Sequence, residues 1–181
     1  MEKKYLDAGY QQYERNYTIK VQYREYIVVC PEFRKGAAEA SPIVILPDFM
    51  IPGRPYPVYV YLFAIRLYST RPDKGQRWAA AETRKQFGLT TFSHTTLGRA
   101  MKAFACTIEE NALATDLGVE RISNAKVKPS GFPTVRATAS IREKAAEFLS
   151  KRLVTMPVRR TVIDYCWLAR EQFKEYGRFL L

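Results

Sequence analysis

Two apolar periodicities divide this chain. Between Tyr17 and Val29 the pattern has period two: Ile19, Val21 and Tyr23 alternate with Lys20, Gln22 and Arg24, and Tyr26 to Val29 follows as a second β-branched run. Such alternation in Tyr-, Val- and Ile-rich sequence predicts two short strands, a small β region within residues 1–41. After Pro57 the period lengthens. Val58, Tyr61, Leu62, Ile65 and Tyr68 recur at helical spacing behind a proline suited to a first turn, although the same β-branched and aromatic content suits a strand. Between the two patterns, residues 42–57 hold five of the ten prolines (Pro42, Pro47, Pro52, Pro55, Pro57), which forbids regular helix and predicts an extended connector at a domain boundary.

The stretch Trp78 to Phe104 carries the most information. Leu97, Met101 and Phe104, with Ala100 beside them, form one apolar stripe and leave His94, Thr95, Arg99 and Lys102 facing away. In the helix before it, Ala80, Thr83 and Phe87 share a side from which Glu82, Arg84 and Lys85 are excluded. Gly88 is placed to end that helix in the left-handed conformation, and Ser93 to cap the start of the next. Trp78 is expected to close the core at the first helix's start. Two short helices around a glycine turn, the second presenting small hydroxyls and Arg on its exposed first turns, match the arrangement that lays a recognition helix into a major groove. Residues 58–105 are therefore read as a helix-turn-helix unit.

Beyond Phe104 a short helix is predicted over Ile108 to Leu117, then an exposed loop near residues 123–138 containing Lys126 and Lys128. Ser140-Ile141-Arg142-Glu143 reads as a capping box, with Ile141, Ala145, Phe148 and Leu149 at helical spacing behind it. A last helix is expected from Thr161 to Phe173, burying Val162, Tyr165, Leu168 (or Cys166) and Phe173. Residues 106–181 thus form a helical extension, suited to support or to a protein partner. The fold class is mainly α with a small β N-terminal region.

Charge sharpens this picture because it is uneven. Lys and Arg outnumber Asp and Glu by 8 to 2 over residues 61–105, against 8 to 7 over residues 1–60, so much of the net +11 lies around the two-helix unit. A local excess of this kind is the footprint of a polyanion-binding surface. Arg99 and His94 are the candidates for base edges, with Thr95 and Thr96 nearby and Ser93 at the cap; Arg84, Lys85 and Lys102 are the candidates for phosphates. An accessory protein of a recombination complex, binding a partner through its C-terminal helices, is the competing reading. RNA binding would instead use stacking aromatics on a sheet, and Tyr10, Tyr13, Tyr17, Tyr23 and Tyr26 are numerous enough to keep it open.

Other chemistries find little support. No apolar run approaches a membrane span and MEKKYLDAGYQQYERNYT lacks the apolar core of a signal peptide, so a cytoplasmic protein is expected. Cys30, Cys106 and Cys166 are odd in number and far apart, unlike a disulfide framework. His94 is the only imidazole, no Gly-rich phosphate loop occurs, and Asp116, Glu120, Asp164 and Glu171 make no acidic triad. No catalytic activity and no cofactor are expected.

ILPDFMIPGRPY, followed some 25 residues later by TRKQFGLTTFSHTTLGRAMKAF, resembles uncharacterised transposase-related proteins of Gram-positive anaerobes that join a zinc-ribbon-like N-terminus to a helix-turn-helix. The resemblance covers roughly residues 26–105 and implies DNA binding connected with a mobile element. That family carries a Cys-x-x-Cys pair just upstream of its Leu-Pro-x-Phe-x-x-Pro segment. Here Cys30-Pro31-Glu32-Phe33 supplies the first thiolate and puts Phe33 where the second belongs, so a degenerate, metal-free ribbon is expected. Packing by Tyr23, Tyr26, Phe33 and Ile43 would then replace what zinc contributes.

Overall fold

The structure is a computed structural model and describes residues 2–36, 42–51, 53–116, 138–154, 162–176, 179 and 181. Within them the order is α1 (Glu2–Asp7), β1 (Gln11–Val21), β2 (Arg24–Arg34), β3 (Ile43–Val44), α2 (Val58–Thr70), α3 (Gln76–Phe87), α4 (His94–Asp116), α5 (Thr138–Val154) and α6 (Val162–Tyr176). Six helices and one small antiparallel sheet of order β1-β2-β3 match the expected class.

The strands form a longer hairpin than the alternation suggests, pairing from Gln11↔Arg34 to Val21↔Arg24. Only Gln22 and Tyr23 connect them, both with positive φ (52° and 59°), as a two-residue turn of this twist requires. Neither is glycine, so the turn is strained by roughly 1 kcal/mol or more per residue. Helix α3 offsets that cost: the Gln22 amide donates to the Phe87 carbonyl at 2.8 Å and the Tyr23 amide to the Gly88 carbonyl, two acceptors a helix end leaves unfilled. Ile19, Cys30 and Met50 make a small core under the hairpin. Of the residues expected to replace zinc, Phe33 is fully buried against Tyr5 of α1, with rings 5.0 Å apart, whereas Tyr23 is 71% exposed and Tyr26 also faces solvent. Tyr23 lies in the turn and Tyr26 on an exposed stretch of β2, so neither packs as expected, while Ile43 of β3 is half-buried.

The proline-rich connector is anchored along its length: Ile43 and Val44 pair with β2 as β3, so the sheet extends past residue 41. Met50 belongs to the hairpin core, while Ile51 and Tyr56 belong to the helical one. Helix α2 starts after Pro57 and buries Val58, Val60, Tyr61, Leu62, Ala64, Ile65, Tyr68 and Ser69, a nearly complete apolar surface that fits its central place among α3, α4, α5 and α6. Burial pushes the Tyr61 phenol up to about 12, opposed by the Arg54 guanidinium 6.0 Å from its ring.

Three helical expectations need correction. The predicted break between Phe104 and Ile108 is absent: α4 runs unbroken to Asp116, since nothing from Ala105 to Thr107 disrupts it and the Thr107 hydroxyl bonds back to the Ala103 carbonyl at 3.0 Å. Helix α5 starts at Thr138, so Ser140 lies inside it and does not open it. Helix α6 buries Tyr165, Leu168 and Gln172; Val162 is exposed at its first turn, and Phe173 is exposed with its ring 4.7 Å from Phe179. Ala145 and Leu149 of α5 are buried as expected, and Ile141 and Phe148 pack beside them. Residues 117–137, including Lys126, Lys128 and Glu120, lie outside the described residues, as does Thr161.

Candidate nucleic-acid interface

The surface around the start of α4 is built on a tightly held link. Gly88 ends α3 at φ 57° and ψ 54°, and its amide donates to the Arg84 carbonyl. Leu89 and Phe92 then turn inward to the core, the Tyr56 hydroxyl meets the Thr91 hydroxyl at 3.0 Å, and Arg84 Nη1 donates to the Phe92 carbonyl at 2.9 Å. Ser93 caps α4 by accepting from the Thr96 amide at 3.1 Å, and its hydroxyl lies 3.0 Å from that of Thr96. Together these bonds end α3, brace the link and fix where α4 begins.

Gly88 serves the hairpin as well. A Cβ there would sit 2.9 Å from Tyr23 Cε2 and 3.0 Å from Gln22 Cα, one of them backbone. Both the left-handed φ and this close approach exclude a side chain. Gly88→Ala should lower stability by roughly 2 kcal/mol, read as a lower thermal midpoint, and Tyr23→Gly in the same chain should restore part of it by removing the clashing ring and one strained φ. A Gly88→Ala protein that melts with the parent would refute this docking.

Leu97, Ala100, Met101 and Phe104 are all buried, so the stripe read from the sequence is the packed face of α4. His94, Thr95, Arg99 and Lys102 are exposed on the other side, where they line a cleft of about 370 Å³ with Gly98. Its remaining walls come from Tyr68 of α2, Gln76 of α3 and Ile141 of α5, and Met101 forms part of its floor. Gln76 lies across Gly98, its Oε1 3.2 Å from where a Cβ would stand. Arg142, next to the wall residue Ile141, braces Tyr68 from outside the cleft. Its guanidinium stacks 4.2 Å from the Tyr68 ring centroid and donates to the Arg71, Pro72 and Lys74 carbonyls, tying α5 to the α2–α3 loop.

Of the sequence-predicted residues, His94, Thr95, Arg99 and Lys102 thus share one cleft, while Ser93 and Thr96 serve the cap. Lys85 is exposed on the last turn of α3, outside the cleft, and the Arg84 guanidinium is turned toward the link. Gln76, Tyr68 and Arg142 were not anticipated. Gln76 could have been found by starting α3 two residues earlier, but no local signal marks Tyr68 or Arg142 as neighbours of α4.

Among the described residues no group of three or more His, Cys, Asp or Glu side chains could hold a metal ion. Cys30 is buried, and burial raises its pKa. Burial, then the Asp48 carboxylate, pushes the Cys166 thiol up to about 11. No described helix is long and apolar enough to cross a membrane.

Compared with known families, curated proteins and solved structures, the chain matches none.

Proposed function

We propose that this protein binds double-stranded DNA in a sequence-dependent, non-catalytic way, with α3 and α4 acting as a helix-turn-helix, and that it serves a mobile element as a transposition accessory or regulator. The observation that carries the reading is the exposed row His94, Thr95, Arg99 and Lys102 on a helix whose opposite face is buried and whose start is pinned by its cap. A recognition helix needs that combination, since base edges reward only side chains delivered at fixed positions. The six-residue link from Gly88 to Ser93 is longer than the usual three- or four-residue turn. Its buried Leu89 and Phe92 make it a packed element all the same.

Arg99 is the proposed reader of a guanine edge, and Lys85 a phosphate anchor on the neighbouring helix. Arg99→Ala should cost about 1–3 kcal/mol on a preferred site and relax preference at one base pair, whereas Lys85→Ala should weaken all sequences alike and reduce the salt slope by about 1. Site selection from a random duplex pool, followed by affinity measurements, separates the two. An Arg99→Ala protein with unchanged affinity and preference would remove α4 as the reading head.

A second reading keeps its own support. Ile163 (75% exposed) and Trp167 (45% exposed) lie one turn apart on α6, an apolar pair suited to a protein partner. It predicts no duplex binding.

A further inference from the structure

The two faces of the β1–β2 hairpin are chemically unlike. By its register, odd positions of β1 share a face with even positions of β2, and that face carries all three hairpin arginines, Arg15, Arg24 and Arg34, together with Tyr13, Tyr17 and Tyr26. The opposite face has none of these, and its charges are Glu14 and the ion pair Lys20–Glu25. Along the middle of the arginine-bearing face Ile19 and Cys30 enter the small core with Met50. At the end away from the turn Tyr13, Arg15 and Arg34 are exposed, and there the cations are held in fixed positions. Glu32, only 2% exposed, accepts from Arg34 Nε at 2.5 Å and pairs with Arg15 Nη1 at 3.5 Å. The Arg34 guanidinium also lies 5.0 Å from the Tyr13 ring centroid, that of Arg15 lies 5.7 Å from Tyr17, and Lys35 Nζ lies 5.5 Å from Tyr10.

One buried carboxylate beneath three cations leaves a net positive patch, and the carboxylate and rings have already restricted the arginine rotamers. Tyr13 is 44% exposed and about half of each arginine side chain faces solvent. Flat π surfaces beside preorganised cations suit a chain of phosphates with unstacked bases, because phosphate meets guanidinium while base stacks on ring or guanidinium plane. A duplex hides its base faces and would use only the charges, and an acidic peptide would leave the rings idle.

We propose that the open end of this hairpin face binds single-stranded DNA, with Arg15, Arg34 and Lys35 on phosphates and Tyr13 stacking a base. The choice of DNA over RNA rests on the duplex reading above; the site itself does not. Tyr13 is eight residues from Val21, about 26 Å along the strand from the turn docked at Gly88, so one chain could hold a duplex and an adjoining single strand.

The test uses the full chain with fluorescent oligo(dT), oligo(rU) and random duplex, together with photo-crosslinking of bromodeoxyuridine-substituted oligo(dT) mapped by mass spectrometry. We expect cross-links between residues 5 and 35, and a loss of oligo(dT) affinity of about fivefold or more in Tyr13→Ala but not in Tyr13→Phe or Arg99→Ala. Tyr13→Phe keeps the ring and loses only the hydroxyl bond to Gln11, so it separates stacking from local structure. Parental oligo(dT) affinity in Tyr13→Ala, cross-links confined to residues 84–102, or tighter binding of oligo(rU) than of oligo(dT) would each overturn the proposal. Tyr13-dependent oligo(dT) binding without duplex binding would support it while overturning the duplex reading.

Discussion

Leu97→Asp should unfold the helical body, not merely loosen one helix. Leu97 is fully buried in a core that joins residues of α2, α3, α4, α5 and α6, among them Leu62, Ile65, Ala80, Leu149 and Leu168. The substitution removes a buried leucine, a loss of about 2–5 kcal/mol on its own, and leaves a carboxylate with no partner inside that core. A domain of this size has a stability of about 5–15 kcal/mol, so the sum consumes most or all of it. Circular dichroism should show loss of helix at ambient temperature, while Lys102→Asp, on the exposed side of the same helix, should retain the parental spectrum. A folded Leu97→Asp protein with an unchanged melt would mean that α4 does not pack as described.

That stripe was legible in the sequence because it is local: residues three and four apart on one helix meet the same neighbours whatever the rest of the chain does. The caps at Gly88 and Ser93 were legible for the same reason, each being settled by a conformational preference or a hydroxyl within a few residues. The cleft was half legible. His94, Thr95, Arg99 and Lys102 follow from the helical period, but Tyr68, Gln76 and Ile141 arrive from three other helices, and Arg142 is brought in by a guanidinium reaching the α2–α3 loop some 70 residues away.

The hairpin turn was harder still. Gln22-Tyr23 carries no glycine or asparagine signal, and its positive φ values are sustained by acceptors on Phe87 and Gly88, more than 60 residues downstream. Helix α6 shows the opposite failure. Val162 and Phe173 look buried by residue type, but Tyr165, Leu168 and Gln172 define the face that meets the core. Amide-bearing Gln172 could not be chosen from hydrophobicity alone.

Duplex affinity should fall about 250- to 1,000-fold between 50 and 200 mM salt, a log–log slope of roughly −4 to −5. The structure narrows which cations can contribute. Of the eight in residues 61–105, Arg66 donates to the Tyr165 hydroxyl and Arg84 to the Phe92 carbonyl, which leaves Arg71, Lys74, Arg77, Lys85, Arg99 and Lys102 exposed. Six phosphate contacts at about −0.9 each set the steepest slope this surface can produce, and Lys74, 3.5 Å from Asp73, should contribute less than one. Fluorescence anisotropy over that range with random duplex supplies the slope directly. Replacing Lys85 and Lys102 together by Gln should make it shallower by nearly 2, because each removes one released counterion, whereas removing Arg84 should act on stability through the link it braces. A flat dependence would show that the basic surface meets no polyanion. The apolar pair Ile163 and Trp167 on α6 would then be the surface to pursue, since apolar contacts are not weakened by added salt.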